Sequence, residues 1–250
     1  RVLRPETKAL YIETPSNPMM EITDLSACAE LAKEHNLLMI TDNTFLSPYL
    51  QNPIALGADI VIHSASKFLC GHNDTIAGFV CSAREELAAK IRLIAKTTGG
   101  CLSPFDSWLV MRGIKTLAVR MERQQENAGN IARWLTEQKK VRKVYYAGLE
   151  THPGYEINAK QARGAGAMIS FDVDSVETAQ RVLEKVRVIT FAESLGGTES
   201  LITYPMKQTH PDVPKEWREK LGITDTLLRL SVGLEHVDEL IADLEQAFVS

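Results

Sequence analysis

A lysine preceded by two serines follows one of the apolar segments in the first third of the chain. The segment GADIVI (57–62) is a short apolar run after a turn glycine, which predicts a buried strand. It leads into HSASKFLCGH (63–72), where Ser64 and Ser66 stand just before Lys67. A solvated lysine needs no such setting, so the pattern indicates that the amine has a chemical task.

Two further polar clusters follow apolar segments nearby. ETPSNP (13–18) follows ALYIE (9–13), and TDNTF (41–45) overlaps the end of LLMITD (37–42). In a parallel sheet, ligands bind beyond the carboxyl ends of the strands. Three polar clusters at three predicted strand ends therefore indicate one shared site, although each cluster alone is also explained as a turn.

The residue types in these clusters match what pyridoxal phosphate needs from a protein. A lysine amine, here Lys67, forms a Schiff base with the aldehyde of the cofactor. An aspartate, here Asp42, keeps the pyridine nitrogen protonated, so that the ring acts as an electron sink. The hydroxyls of Ser64 and Ser66 suit the phosphate, and the side-chain amide of Asn17 suits the 3-hydroxyl of the ring.

Each of these residues also has a structural explanation. Lys67 is explained as a solvated lysine, Asp42 as a strand-end cap, and the two serines as turn formers. We interpret His63 and His72 as packing or hydrogen-bonding residues rather than as bases or metal ligands. Spacing alone leaves the cofactor site and the structural explanation both open.

The elements that must position these residues are those of an α/β sheet. Helix DLSACAELAKEH (24–35), capped by Thr23 or Asp24, separates the first two strands. Such crossovers join parallel strands and place helices on each side of the sheet. IAGFVCS (76–82) follows a connection too short for a crossover, so we expect an antiparallel strand. The predicted parallel strands are 9–13, 37–42 and 59–64.

A mainly helical middle separates this sheet from a second region. The helical pattern runs from Glu85 to about Gln138 and is interrupted at TTGGCLSP (97–104). Pro104 is well placed to open a long helix through Leu117. Strands and helices alternate after Lys139, which predicts a smaller α+β domain. Its predicted strands lie in VRKVYYAGL, AMISFDV (167–173), VRVITFA and LLRLSVGL, and its predicted helices at 176–185 and 237–248.

Composition argues against several classes of partner. The 250 residues are 44% hydrophobic and 24% charged, with a formal net charge of −4, as in ordinary soluble globular proteins. No basic run is long enough to indicate nucleic acid or an anionic membrane surface. No apolar run is long enough to span a bilayer. We therefore expect neither a nucleic-acid nor a membrane partner.

The cysteines indicate neither a metal site nor a disulfide framework. Cys28, Cys70, Cys81 and Cys101 lie too far apart for any CxxC pair, so no metal is expected. In a chain of this length they favour a reducing, cytoplasmic location. The chain opens RVLRPETK, with neither an initiator methionine nor a signal peptide, and we expect it to be part of a longer polypeptide.

Five ordered segments resemble one enzyme family. They are ETPSNP, TDNTF, GADIVIHSASKFLCGH, AESLGGTESL and LLRLSVGLE. Together they resemble the cysteine/methionine-metabolism family of pyridoxal-phosphate enzymes, which includes cystathionine γ-synthase, γ-lyase and β-lyase and methionine γ-lyase. The resemblance implies the fold type I, aminotransferase-like α/β architecture. Residues 1–117 would be the carboxy-terminal portion of a large cofactor domain, and 118–250 a smaller domain that binds the substrate carboxylate.

The resemblance also implies roles for individual residues. It gives Lys67 and Asp42 the cofactor roles described above, and the same holds for Asn17 and the two serines. Ser194 and Arg229 match the positions that hold the substrate α-carboxylate, which a planar guanidinium meets with two hydrogen bonds. Thr209 matches a residue near that arginine.

Two departures from the family pattern bear on these roles. Cys70 stands where a glycine is expected after the lysine. The family's chains are also longer at the amino terminus. That part supplies the aromatic ring on the cofactor, a phosphate loop, and a tyrosine and an arginine that reach the neighbouring subunit's site. The resemblance therefore implies a homo-oligomer, a dimer of dimers, whose sites a neighbouring subunit completes.

Glu193 is the residue that best discriminates between the reactions within the family. A carboxylate there resembles the γ-synthase and γ-lyase pattern, in which it meets the distal ammonium of cystathionine or cysteine. We therefore predict a transsulfuration enzyme of that type, with cystathionine β-lyase and methionine γ-lyase as alternatives. Glu193 is also explained as a solvated loop glutamate. A non-catalytic assembly subunit of the same fold is the alternative from a different class.

Overall fold

The computed structural model describes residues 2–209 and 212–249, and this part of the chain contains two β-sheets with helices packed around them. The strands are β1 Ala9–Glu13, β2 Leu38–Asp42, β3 Ile60–Ser64, β4 Gly78–Cys81, β5 Val141–Tyr145, β6 Met168–Val173, β7 Thr190–Phe191, β8 Leu201–Thr203 and β9 Leu227–Ser231. The helices are α1 Leu25–Glu34, α2 Ser47–Leu50, α3 Glu85–Thr98, α4 Pro104–Ile114, α5 Leu117–Thr136, α6 Tyr155–Gln161, α7 Val176–Lys185, α8 Lys215–Leu221 and α9 Val237–Val249. A 3-10 turn covers Pro53–Leu56 and a π-helical turn covers Ala65–Leu69.

The first sheet has the strand order β1-β2-β3-β4. Its first three strands are parallel, and β4 is antiparallel to β3. The last residues of β1 and β2, Glu13 and Asp42, lie side by side in the register. The mainly parallel sheet and its antiparallel fourth strand are confirmed, and the three polar clusters emerge at one edge.

Helix α1 covers one face of this sheet. Asp24 is its cap, since its carboxylate accepts a hydrogen bond of 3.0 Å from the backbone N–H of Ala27. Leu25 packs in a fully buried cluster with Met39 of β2 and Val61 of β3. The amphipathic pattern thus predicted the helix, and Leu25 and Ala32 on its apolar side are buried, whereas the nearby Leu31 is 40% exposed.

The prediction of one long helix from Pro104 through Leu117 is wrong. The structure has two helices, α4 and α5, with a break at Lys115 and Thr116. Both the backbone N–H and the hydroxyl of Thr116 donate to the carbonyl of Gly113, each at 3.1 Å. A threonine hydroxyl that bonds a carbonyl one turn earlier competes with regular helical hydrogen bonding, which explains the break.

The second sheet has the strand order β5-β6-β9-β8-β7, antiparallel except for β7 and β8. Every residue of β9 is buried. The largest core cluster runs from the turn that follows β3 through α5 to this second sheet, and includes Phe68, Met121 and Phe171. The domain boundary between residues 117 and 118 stays a prediction.

Within residues 2–209 and 212–249, no helix combines the length and the apolar character that a membrane span needs.

Candidate active site

A cavity at the carboxyl ends of β1, β2 and β3 brings together most of the predicted site residues. Its volume is about 240 Å³.

 A larger cavity, of about 550 Å³, lies between residues 19–23 and β5, but none of the predicted site residues lines it. Size alone therefore does not mark the site. The smaller cavity is lined by Glu13, Asn17, Asp42, Thr44, Phe45, Ser64, Lys67, Glu193, Leu195, Thr209 and Arg229.

Asp42 is held in place by a threonine two residues later. Its Oδ1 atom accepts hydrogen bonds from the backbone N–H of Thr44 at 3.0 Å and from the Thr44 hydroxyl at 2.6 Å. Its Oδ2 atom has only a long contact, 3.5 Å, with the hydroxyl of Tyr11. Oδ2 is therefore the carboxylate oxygen that suits a protonated pyridine nitrogen.

Thr44 belongs to the TDNTF cluster, and the sequence alone predicts no role for it. Its hydroxyl oxygen also accepts a hydrogen bond of 2.9 Å from the backbone N–H of Ser64. Thr44 thus ties the ends of β2 and β3 together at the cavity. An aspartate followed two residues later by a threonine is the local signal that predicts such a turn.

Lys67 lies in the π-helical turn that follows β3. Its own backbone is not helical, with φ −99° and ψ −131°. Burial lowers the pKa of the Lys67 amine, the charge of Arg229 lowers it further, and Glu193 opposes both. A lowered pKa increases the neutral fraction of the amine, which is the form that attacks an aldehyde or accepts a proton.

A glycine of the second region lies directly against this turn. Gly196 has φ +77°, and a Cβ atom there would come within 2.6 Å of the backbone nitrogen of Phe68. Only glycine fits this backbone conformation and this close approach. The contact places the loop that carries Glu193 and Leu195 beside Lys67.

Arg229 lies at the centre of the buried strand β9. Its Nη1 donates to Oδ1 of Asn17 at 2.9 Å, and its Nη2 donates to the Ser194 carbonyl at 3.3 Å and to the Thr203 hydroxyl at 3.2 Å. Its Nε is buried and has no hydrogen-bond partner among the described residues. Burial lowers the pKa of Arg229, but a guanidinium stays charged at neutral pH.

The predicted amide ligand, Asn17, is fixed from both sides. Its backbone N–H donates to the carboxylate of Glu13 at 2.6 Å, while its side-chain oxygen accepts from Arg229. Its Nδ2 group has no partner among the described residues, so it can donate to a ring oxygen. Burial raises the pKa of Glu13, and the nearby Asp42 raises it further, whereas the hydrogen bond from Asn17 lowers it.

The predicted serines and threonine are placed differently from one another. Ser64 and Thr209 line the cavity. The Ser66 oxygen accepts from the Ala77 N–H at 2.9 Å and is 3.3 Å from the Ala77 carbonyl. The Ser194 hydroxyl donates to Oδ1 of Asn73 at 2.7 Å. The structure thus places Ser64 and Thr209 in the cavity lining, and Ser66 and Ser194 outside that lining.

Cys70 is a buried thiol close to this turn, and it donates to Oδ1 of Asp74 at 3.2 Å. Burial raises the pKa of Cys70 to about 11, and Asp74 contributes to the rise. We expect iodoacetamide at about pH 8 to alkylate Cys70 at least about tenfold more slowly than the exposed Cys81 and Cys101. Peptide mapping over time measures the three rates, and a Cys70 rate equal to the other two would contradict the prediction.

No group of three or more His, Cys, Asp or Glu side chains within the described part of the chain is arranged to hold a metal ion. The chemistry at the cavity is instead that of an amine, a carboxylate, a guanidinium and hydroxyls. These groups fit pyridoxal phosphate and an amino-acid carboxylate, since the buried Nε of Arg229 and Oδ2 of Asp42 both lack a short hydrogen bond among the described residues.

Comparison with known proteins gives the same family over nearly the whole chain. The family model described as "Cys/Met metabolism PLP-dependent enzyme" matches residues 1–249. Cystathionine gamma-lyase of Bacillus subtilis (strain 168) is 49% identical over 99% of this chain. Cystathionine beta-lyase of Lactococcus lactis subsp. cremoris (strain MG1363) is 51% identical over 97% of it. The chain spans 65% and 64% of the lengths of these two relatives.

A solved structure shows the same architecture. The crystal structure of cystathionine gamma-lyase from Lactobacillus plantarum, complexed with L-serine, matches the whole chain with a TM-score of 0.97 at 48% identity. The chain covers 65% of that protein. The fold type I assignment is thereby confirmed, and with it the use of pyridoxal phosphate in the family. The chain belongs to the family of Cys/Met metabolism PLP-dependent enzymes.

Proposed function

We propose that this chain is part of an enzyme that makes or breaks a carbon–sulfur bond of cystathionine or a related sulfur amino acid, of the γ-synthase or γ-lyase type. One observation carries the proposal. Lys67, Asp42 and Arg229 line a single cavity of about 240 Å³. An amine, a partner for a ring nitrogen and a receptor for a carboxylate therefore face the same small volume.

The residues around the cavity divide into a cofactor side and a substrate side. When bound, pyridoxal phosphate withdraws electrons from the Cα atom of an amino acid. On the cofactor side, Lys67 would hold the group covalently, Oδ2 of Asp42 would pair with the ring nitrogen, and Nδ2 of Asn17 would donate to the 3-hydroxyl. Ser64 and Ser66 donate to the phosphate. Ser66 keeps its bond from the Ala77 N–H while its proton turns away from the distant Ala77 carbonyl.

On the substrate side, Arg229 binds the α-carboxylate. Its unpartnered Nε supplies one donor, and Nη2, whose existing hydrogen bonds are 3.2 Å and 3.3 Å long, supplies the second. Two parallel hydrogen bonds from one guanidinium fix the orientation of the carboxylate. Ser194 joins them when its hydroxyl turns from Asn73, and Thr209 lies on the same cavity wall.

Lys67 also moves a proton. With cofactor and substrate bound, the Lys67 amine would accept the proton from Cα and return it to another atom. The lowered pKa of the amine favours the neutral form that accepts this proton. The same group therefore serves elimination at Cβ and reaction at Cγ, so it does not distinguish the members of the family.

The reaction is tested by its products. The full-length protein, loaded with cofactor, is incubated with cystathionine. We expect cysteine, 2-oxobutyrate and ammonia, which come from cleavage at Cγ with addition of water. Homocysteine, pyruvate and ammonia would instead support the β-lyase alternative. Similar identities to a γ-lyase and a β-lyase, 49% and 51%, make this experiment necessary.

Glu193 carries the preference for cystathionine. It lines the cavity near both Lys67 and Arg229, whose pKa values it raises. We expect Glu193→Gln to lower kcat/KM for cystathionine by about tenfold to a hundredfold, since a charge-assisted hydrogen bond to the distal ammonium is lost. The exposure of Glu193 to solvent places the effect toward the lower end. Methionine, which has no distal ammonium, should be little affected.

The measurement is kcat/KM for both substrates in the parent and in the variant. Glu177→Gln, on the exposed face of α7, is the matched control and should change neither value. Equal losses for cystathionine and methionine would mean that Glu193 only shapes its loop. The γ-synthase or γ-lyase preference would then be withdrawn.

We further infer that the protein works in the cytoplasm as a homo-oligomer, a dimer of dimers. All four cysteines are free thiols, which supports a reducing location. Large apolar side chains, among them Phe79, Val80 and Trp108, are exposed on β4 and α4, which supports a buried surface between subunits. Sedimentation of the full-length protein tests the oligomeric state, and a monomer at micromolar concentration would contradict it.

A further inference from the structure

Arg120 is a buried arginine near the start of α5. Its exposed fraction is 3%, and no carboxylate pairs with it among the described residues. Its Nη1 donates to the Phe68 carbonyl at 2.8 Å, and its Nη2 donates to the carbonyls of Leu69 at 3.3 Å and Gly113 at 3.0 Å. Its Nε donates to the Thr116 hydroxyl at 3.0 Å. The guanidinium of Arg120 thus donates to three backbone carbonyls and one hydroxyl.

Burying a guanidinium without a carboxylate is costly unless hydrogen bonds replace the lost water. Here the carbonyls of Phe68 and Leu69 do so. They stand at the carboxyl end of the π-helical turn that carries Lys67, where helical carbonyls lack partners and present the negative end of the peptide dipoles. The positive charge of Arg120 therefore interacts favourably with the negative end of the peptide dipoles of that turn.

The local backbone leaves room for this arrangement. Gly71 has φ +75°, and a Cβ atom there would lie 2.4 Å from Cζ of Arg120. A Cβ atom on Gly113 would lie 2.2 Å from the Cys70 carbonyl oxygen. Two glycines therefore allow the turn to approach α4 and the guanidinium more closely than any other residue would permit.

The next turn of α5 holds the loop that follows Glu193, on the other side of the cavity from the Lys67 turn. Gln124 is buried, and its Nε2 donates to the carbonyls of Gly197 at 2.6 Å and Val232 at 3.1 Å. Residues four apart lie on the same face of a helix. One face of α5 thus holds both the Lys67 turn, through Arg120, and the loop that follows Glu193, through Gln124.

We propose that Arg120 is a positioning residue that acts through the Phe68 and Leu69 carbonyls to fix the direction in which the Lys67 amine enters the cavity. The inference rests on the proposed function, in which Lys67 receives the cofactor. If the turn loosens, the amine samples more orientations and water reaches it more easily. Misplacement of a reacting atom by about 1 Å lowers a rate by up to about a hundredfold.

The test follows the modification of Lys67 itself rather than turnover. The full-length protein is freed of cofactor, exposed to pyridoxal phosphate for set times, and reduced with borohydride. Peptide mapping then gives the rate of labelling at Lys67 for each folded variant. We expect Arg120→Met to label about tenfold to a hundredfold more slowly. Arg120→Lys, which keeps the charge but not the planar fork, should recover part of the rate.

Two comparisons separate positioning from general stability. Arg142→Met removes an exposed arginine that also donates to a backbone carbonyl, that of Asp174, and it should label at the parent rate. The dependence of labelling on pH should move to higher pH in Arg120→Met, because an amine with more water around it keeps its proton longer. A variant that is merely less stable would melt at a lower temperature without this displacement.

The outcomes are distinct. A parent protein with no label at Lys67 would overturn the proposed function and this inference with it. A labelled parent together with Arg120→Met at the parent rate and pH profile would overturn only the inference. If Arg120→Met does not fold, Thr116→Val removes the acceptor of Nε with little change in size. It should label a few-fold more slowly, and the parent rate in that variant would overturn the inference.

Discussion

Lys67→Ala is expected to abolish turnover while the fold stays intact. Covalent catalysis through a lysine leaves very little activity once the amine is removed, so we expect kcat to fall by at least about a thousandfold. The fold should survive because Lys67 is only partly buried and lies in a turn rather than in the core. The measurements are kcat for cystathionine and the thermal unfolding of parent and variant.

The matched control is Lys96→Ala on the exposed end of α3. It should leave both kcat and the unfolding temperature close to those of the parent. A Lys67→Ala protein that keeps a tenth or more of the parent activity would contradict the assignment of the lysine.

Asp42→Asn should still bind the cofactor but lose most of its ability to withdraw electrons. Asparagine keeps a side-chain oxygen for the two hydrogen bonds from Thr44, so the end of β2 should hold its shape. Without the negative charge, however, the ring nitrogen is no longer held protonated. We expect exchange of the substrate's Cα proton for deuterium to slow by about a thousandfold, as followed by NMR.

Asp59→Asn is a close control for this change. Asp59 also accepts a backbone N–H, that of Met39, but it stands just before β3, at the opposite edge of the sheet. It should leave the exchange rate unchanged. Unchanged exchange in Asp42→Asn as well would show that Asp42 is only a strand-end cap.

The residues that sequence reasoning found are those whose signals are local. An apolar run that ends in a polar cluster predicts a strand end, and parallel strands bring such ends together. Helix α7 has the predicted bounds, 176–185, and the structure shows Ser175 as the cap of this regular amphipathic pattern. Strand β8 was missed because three residues are too few to show a period.

The features that were missed depend on contacts between distant residues. Arg120 looks like any helical arginine until the fold brings the Phe68 carbonyl, 52 positions away in the chain, within 2.8 Å. Ser194 was found by resemblance, yet its bond to Asn73 depends on a loop 121 positions away. Hydroxyl directions and buried charges of this kind are set by tertiary packing, which a single sequence does not display.

The central claim is that Lys67 carries the cofactor. Borohydride reduction of the cofactor-loaded full-length protein, followed by peptide mapping, tests it most directly. We predict one pyridoxyl group, on the peptide that contains Lys67. A protein that takes no label, or takes it on another lysine while Lys67 stays unmodified, would contradict the account.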